Sequence, residues 1–379
     1  MATENNELYK YNESTLKTMF KKCLGINAEI KTYDNPWQGK WCVYPRLGII
    51  APRFPSTNIT AFVLSQYDTR GGFAKIAARK MARAGYLCSL GLLAAKSMDI
   101  KGTETLGNNM FFWWRGRSMR LYNFADDTIV CIFKKGIPRK NIENIIRFRK
   151  KYYYDFMIEL TDYGNDWYQE PIMYGKTLSM YKNKKGYTTL LKQSVKCMKQ
   201  IADDTVHFKN PKDYAEEICQ QIEKNINSMS KDAFNYDGFK QTVNSLKTRA
   251  QKLDKPVPVA LAHCDFHPQN ILIDKNRKIY IIDWEANNFR SIWYDPASLL
   301  LNFRQPEGMR NMLLNYCEKN IIDAVLINDE QKIYNMESLM CILLLENILG
   351  KTIIAGEMKH GTTGILDNYT EKLSNINWC

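Results

Sequence analysis

Residues 259–285 constrain this chain more than any other stretch. An apolar run from Val259 to Ala262 stops at His263, and a polar loop follows with Asp265, His267 and Asn270. Ile271 to Ile273 reads as a strand, Asp274 to Arg277 as a turn, and Lys278 to Ile282 as a second strand that delivers Asp283 at its end. Two strands joined by a tight turn bring the loop before the first close to the end of the second. Asp265, Asn270 and Asp283 are therefore expected to converge. Such a set suits phosphoryl transfer from ATP: one carboxylate orients and deprotonates an acceptor hydroxyl, while an amide oxygen and a second carboxylate hold Mg²⁺ on the phosphates. A single Asp or His in a hairpin is structural more often than not; four polar identities in this context are harder to reach by accident.

The spacing from Asp265 through Asn270 to Asp283 is of the protein-kinase type. The loop His263-x-Asp265-x-His267-x-x-Asn270 and the strand end Ile282, Asp283, Trp284, Glu285 resemble more closely the aminoglycoside phosphotransferase/choline kinase superfamily. The resemblance covers roughly residues 107–350 and is specific at 263–285. It implies an α+β chain with a bilobal protein-kinase-like fold, a small β-rich N-lobe over 107–173 and a helical C-lobe over 174–379. Residues 1–106 would form an extra α/β domain in front; similar leaders precede the kinase unit in some bacterial members encoded with surface-polysaccharide genes.

The same resemblance implies roles. Asp265 is the base, and Asn270 and Asp283 are the Mg²⁺ ligands, with Glu285 either a further ligand or a hydrogen-bonding neighbour. His263 braces the loop; His267 either reaches substrate or fixes the loop ahead of Pro268. Lys134, on the third strand of the N-lobe, pairs with the phosphates of ATP, with Lys135 as the alternative, since a strand admits only one of the two to the cleft. Glu143 on the next helix is its natural partner. Gly116 and Ser118 stand in the phosphate-covering turn, which lacks GxGxxG, and backbone groups near Glu170 and Ile172 bind the adenine edge. Asp295, followed by Pro296, is read either as a helix cap or as a brace of the catalytic loop. Zinc is discounted, because His263 and His267 have no third soft ligand at a recognised spacing.

Composition bounds the rest. An apolar content of 45% with 12% aromatic residues supports sizeable cores. The ten cysteines are scattered without CxxC pairs, and Cys42, Cys88, Cys131, Cys197 and Cys341 lie in apolar stretches, as reduced buried thiols do. A polar start and the lack of an apolar run of about 18 residues point to a cytoplasmic protein. The net charge of +13 is spread along the chain, which favours a solvated lysine-rich surface and a phosphate site over nucleic acid. A basic helix from Phe73 to Met98 is expected to pack on its own domain, with peripheral membrane contact as the alternative.

Further helices are expected over Leu8–Leu24, Pro138–Tyr154, Tyr187–Asp204, Tyr214–Met229 and Phe234–Leu253, with breaks at Asn210-Pro211 and at Tyr236 to Gly238, and more from Gly308, Glu330 and Asp367. Short strands are expected near Trp41 and Leu47, over Ile59–Leu64, in three runs across 110–134, and over Met157–Leu160 and Asp166–Ile172. The expected activity is an ATP-dependent small-molecule kinase acting on a hydroxyl of a sugar, glycan or cell-envelope precursor. Its rivals are an aminoglycoside-type antibiotic kinase, disfavoured because a positive chain with few acidic clusters suits a polycationic substrate poorly, and a silent kinase-like scaffold, disfavoured by the intact Asp265, Asn270 and Asp283.

Overall fold

A computed structural model describes residues 13–22, 25–35, 37–44, 47–65, 73–87, 96–102, 108–114, 118–133, 139–182, 184–229, 234–301, 336–357, 366–367 and 370–371. The chain divides into two units, Met1–Met180 with Leu272–Tyr280, and Tyr181–Ile271 with Ile281–Cys379. The expected helices from Gly308 and Glu330 begin outside the described residues.

The first unit is built on one antiparallel sheet of nine strands. Its members are β1 (Glu29–Tyr33), β2 (Trp41–Tyr44), β3 (Ile49–Pro52), β4 (Lys96–Lys101), β5 (Met110–Trp114), β6 (Ser118–Asn123), β7 (Thr128–Phe133), β8 (Asp162–Tyr163) and β9 (Trp167–Pro171). They lie in the order β1-β4-β2-β3-β5-β6-β7-β9-β8. The three runs expected across 110–134 form its middle, each rich in the aromatic and β-branched residues that fit a pleated surface.

The sheet does not stop near residue 106. β3 pairs with β5 in the register Ile49↔Trp113 and Ile50↔Phe112. One core then runs beneath both halves: Phe20, from a helix over residues 13–22 (α1), meets Phe112 at 5.4 Å, and Trp41 meets Phe112 at 5.5 Å. The expected boundary between 1–106 and 107–173 therefore falls inside a single sheet and a single core.

Three local expectations fail here; Met157–Leu160, expected as a strand, carries only a single bridge at Met157, and the strand lies at Asp162–Tyr163 instead. Ile59–Leu64 is not a strand but part of helix α2 (Thr57–Ser65). Ile59 and Val63, four apart, are its buried residues, and Ser56 stands before it, its Oγ accepting from Ile59 N at 3.4 Å. Helix spacing and a cap outweigh the β-branched composition. The helix expected from Phe73 ends at Leu87 (α3), and Met98 belongs instead to β4. Helix α4 (Arg139–Lys151) matches its expectation to within a few residues.

A small sheet finishes the first unit's description, made of β10 (Lys176–Thr177) and the outer part of the hairpin β13 (Ile271–Ile273) and β14 (Ile279–Ile281). Gly175 passes so near this hairpin that a Cβ there would lie 2.8 Å from Ile273 O. The turn forms as expected: Asp274 Oδ1 accepts from Asn276 N and Lys278 N, both at 2.8 Å, while Arg277 takes the left-handed conformation at φ 65°.

The second unit is mainly helical. Among the described residues its longer helices are α5 (Tyr187–Thr205), α6 (Pro211–Ile226), α7 (Tyr236–Ala250), α8 (Tyr294–Leu301) and α9 (Met336–Glu357). Asn210 caps α6 by accepting from Lys212 N at 2.9 Å, with Pro211 in the first turn. Tyr236 to Gly238, expected as a break, is the first turn of α7, capped by Asn235. A core of Tyr214, Ile218, Phe239, Leu246, Trp293 and Leu345 ties α6, α7 and α9 together. On this core lies a small sheet, β11 (His207–Lys209), β12 (Val257–Ala262) and β15 (Asn288–Ser291), in the order β11-β12-β15. β12 is buried throughout and runs directly into the polar loop. Among the described residues, no helix is long and apolar enough to cross a membrane.

Candidate functional site

The polar loop begins where β12 ends, and its first residue is locked on every side. His263 is fully buried. Its Nε2 lies 2.8 Å from Ile282 O, and its Nδ1 accepts from Asp265 N at 3.2 Å. An accepting Nδ1 assigns the proton to Nε2, which donates to Ile282. Burial pushes the imidazole below its ordinary range, so the ring is neutral. His263 is a brace of the loop, as the resemblance implies.

Asp295 holds the same loop from another side. Its two oxygens accept from His263 N at 2.5 Å and Cys264 N at 3.0 Å, which lets Cys264 sit in the left-handed region at φ 63°. Helix α8 begins one residue earlier, at Tyr294, so the capping reading of Asp295 gives way to the bracing one. Burial pushes Asp295 up to about 7, against the pull of the two N–H donors.

Asn270 and Asp265 are joined directly, and a backbone bond ties the residue before Asp283 to the same place. Asn270 Nδ2 donates to Asp265 O at 3.0 Å and to Asp265 Oδ2 at 3.1 Å. Two acceptors fix the amide's orientation, which leaves Asn270 Oδ1 as the amide atom that could meet a cation. Ile282 N donates to the backbone carbonyl of Asn270 at 2.9 Å, so the strand end that leads into Asp283 is tied to the loop. Asp283 is left-handed at φ 67°, a conformation that Asp tolerates better than most residues. Hard amide and carboxylate oxygens suit Mg²⁺, which keeps several of its positions for water and phosphate. Among the described residues, no three His, Cys, Asp or Glu side chains form a metal-ligating group. Glu285 lies two residues on, in a 3₁₀ turn over Trp284–Ala286.

His267 is buried, with Nε2 3.5 Å from Asp265 Oδ2 and Nδ1 close to Gln269 N and Oε1. It fixes the loop and faces the carboxylate at once.

The expected nucleotide residues belong to the first unit. Lys134, Lys135 and Gly116 lie outside the described residues. Ser118 opens β6 and is fully buried, in a strand that is covered on both faces. Ile172 N already donates to Asp127 O at 2.7 Å, so only the Ile172 carbonyl could serve an adenine edge. Glu170 pairs with Arg149 at 2.7 Å in a nearly buried ion pair, with the guanidinium 5.1 Å from the Tyr168 ring. Glu143 is half-buried on α4 and lines an open groove with Ile146, Arg147, Lys150 and Tyr163.

Sequence reasoning missed three participants. Cys264 gave no signal, since its role is purely one of backbone conformation. The Arg149–Glu170 pair was hidden among many surface charges. Glu346 was visible in principle: it is the one acid in an otherwise apolar run from Leu339 to Leu345 and beyond. Glu346 is fully buried and accepts from Ser291 N, Ser291 Oγ and Tyr214 OH.

Comparisons with known proteins bear on the same stretch. No curated protein matches. Among solved structures, choline kinase LicA from Streptococcus pneumoniae is 15% identical, with 72% of this chain and 91% of that one covered and a TM-score of 0.47. A choline/ethanolamine kinase family protein from Mesorhizobium loti is 14% identical, with 72% and 90% covered and a TM-score of 0.47. A thermostable mutant of aminoglycoside phosphotransferase APH(4)-Ia is 14% identical, with 70% and 93% covered and a TM-score of 0.48. These likenesses add no weight to the residues' own geometry. A family description does: residues 221–318 match the phosphotransferase enzyme family (APH). The matched segment is the one that carries the polar loop, Asp283 and Asp295.

Proposed function

We propose that this chain is an ATP-dependent small-molecule kinase that transfers the γ-phosphoryl group to a hydroxyl, with a sugar, glycan or related cell-envelope precursor as acceptor. The observation that carries this reading is the clasp of Asn270 Nδ2 on the Asp265 carboxylate and carbonyl, which orients one carboxylate, while the Asn270 backbone carbonyl holds the N–H of Ile282, the residue before Asp283. Asp265 keeps 37% of its side chain exposed, so it can meet an acceptor. It would orient the hydroxyl and take its proton as the oxygen attacks the γ-phosphorus and ADP leaves. Asn270 and Asp283 would hold Mg²⁺, which when bound offsets the charge of the phosphates. His263, His267 and Asp295 keep the loop in place. The nucleotide roles of Lys134, Glu143, Gly116, Ser118 and the Glu170–Ile172 backbone rest on the sequence resemblance, and a cytoplasmic setting on the composition.

The first test is metal-dependent nucleotide binding. Mg-ATP at ~100 times its Kd should stabilise the parent protein by about 2.7 kcal/mol. Asp283→Ala should remove the Mg²⁺-dependent part of that gain in a thermal-shift titration. Survival of the full shift would contradict the metal assignment. A screen of ATP consumption against sugars, glycolipids, aminoglycosides and choline, with mass detection of the product, then identifies the acceptor.

A further inference from the structure

Glu346 lies in the middle of α9, flanked by Leu344, Leu345 and Ile348, all buried to within a few per cent. A carboxylate in such surroundings costs several kcal/mol unless its oxygens are bonded. Here they are. One oxygen accepts from Ser291 N and Tyr214 OH, each at 2.5 Å, and the other accepts from Ser291 Oγ at 2.8 Å. The buried Arg290 adds a positive charge nearby.

Ser291 is where β15 leaves its sheet. It stands opposite Val259 of β12, and the next N–H, that of Ile292, bonds Pro258 O at 3.1 Å. From this point the two strands run to the same destination by different routes. β12 continues directly to His263, while the chain after Ser291 turns back and presents Asp295, whose oxygens hold His263 N and Cys264 N. The stand of Asp295 relative to the loop thus depends on where Ser291 is anchored. A slip of ~1 Å there would stretch both N–H···O bonds beyond their working range. It would also free the left-handed Cys264 and move Asp265, and misplacements of about 1 Å can cost about 10²-fold in rate.

We propose that Glu346 is a positioning residue: through Ser291 and Asp295 it sets the conformation of the loop that carries Asp265. Its activity readout rests on the phosphotransferase reading above; its conformational readout does not. Cys264 is the native probe. It is half-buried, its Sγ lies 3.8 Å from Ala262 O and Asn288 O, and desolvation pushes the thiol up to about 12, so iodoacetamide should react with it slowly in the closed loop. Cys219 and Cys341, buried in α6 and α9, are controls within the same unit.

In the full-length protein, Glu346→Ala should raise the alkylation rate of Cys264, read by peptide mass spectrometry, by about tenfold, with Cys219 and Cys341 unchanged within about twofold. Glu346→Gln, which keeps one accepting oxygen, should fall between parent and Ala variant. The kcat of Glu346→Ala should drop by at least about tenfold while its Kd for Mg-ATP changes less than about twofold. An unchanged Cys264 rate in folded Glu346→Ala overturns the proposal, as does a rise of all three cysteines in step, which marks a residue of the core only. Should Glu346→Ala fail to fold, Ser291→Ala carries the test, and an unchanged ratio of Cys264 to Cys219 rates overturns it. A parent protein that transfers no phosphoryl group would sink the kinase reading, while the thiol ratios would still judge the positioning role.

Discussion

Cys264 sits at φ 63°, where a residue with a Cβ loses roughly 1–2 kcal/mol. The conformation persists because Asp295 accepts the N–H groups of both Cys264 and the residue before it. Asp295→Asn preserves the shape but swaps one acceptor for a donor, which then faces a backbone N–H. Loss of that bond should cost about 1–3 kcal/mol in urea unfolding. The cost should vary with pH in a defined direction. A carboxylate raised to about 7 binds its proton more tightly folded than unfolded, so its contribution is full below about pH 4 and is lost as pH rises toward 7. The penalty of Asp295→Asn should therefore be larger at pH 5 than at pH 8. A penalty that grows with pH would mean that the two donors, not burial, govern Asp295. The bracing role itself was only half legible in the sequence, because Asp followed by Pro near a helix start fits a cap as readily as a tether. Only the position of α8, one residue earlier, separates the two.

At the scale of elements, the hairpin that carries Asn270 and Asp283 was legible because each signal agreed: apolar runs of strand length, a turn with Asp at its start, and polar residues at the ends. Helix α2 was not, since Ile59, Thr60 and Val63 favour strands locally and only the burial of Ile59 and Val63 on one face decides for a helix. The central strands of the large sheet were readable one by one, but not their neighbours, because pairing of β3 with β5 is a matter of shared core. That core supplies a test. Phe112 is fully buried on β5 and touches rings from α1 and β2. Phe112→Ala should cost about 3–5 kcal/mol in chemical denaturation, the usual range for an aromatic removed from a core. A loss below about 1 kcal/mol would show that these strands do not share one core.

At the scale of the molecule, residues 1–106 contribute four of the nine strands described in the first unit's large sheet. Removing them would expose Ile50's neighbours on β5, with Phe112, Met119 and Leu121 beneath. A chain beginning at residue 107 should be insoluble or unfolded in its sheet, as read by circular dichroism and limited proteolysis. A soluble, protease-resistant product would restore the independent leader domain. The sequence could not show this fusion, since the segment around residue 106 offers turn residues like those between any two strands. The hairpin that carries Asp265, Asn270 and Asp283 was more legible than the large sheet, because these residues lie close in sequence and depend on one local turn. Their joint purpose is tested most directly by Asp265→Asn, assayed for phosphoryl transfer to the acceptor found in the screen and for Mg-ATP affinity. The amide keeps the shape and cannot take the proton, so kcat should fall by ~10²–10⁴-fold with nucleotide affinity nearly unchanged. Turnover close to the parent rate would contradict the assignment of Asp265 as the base.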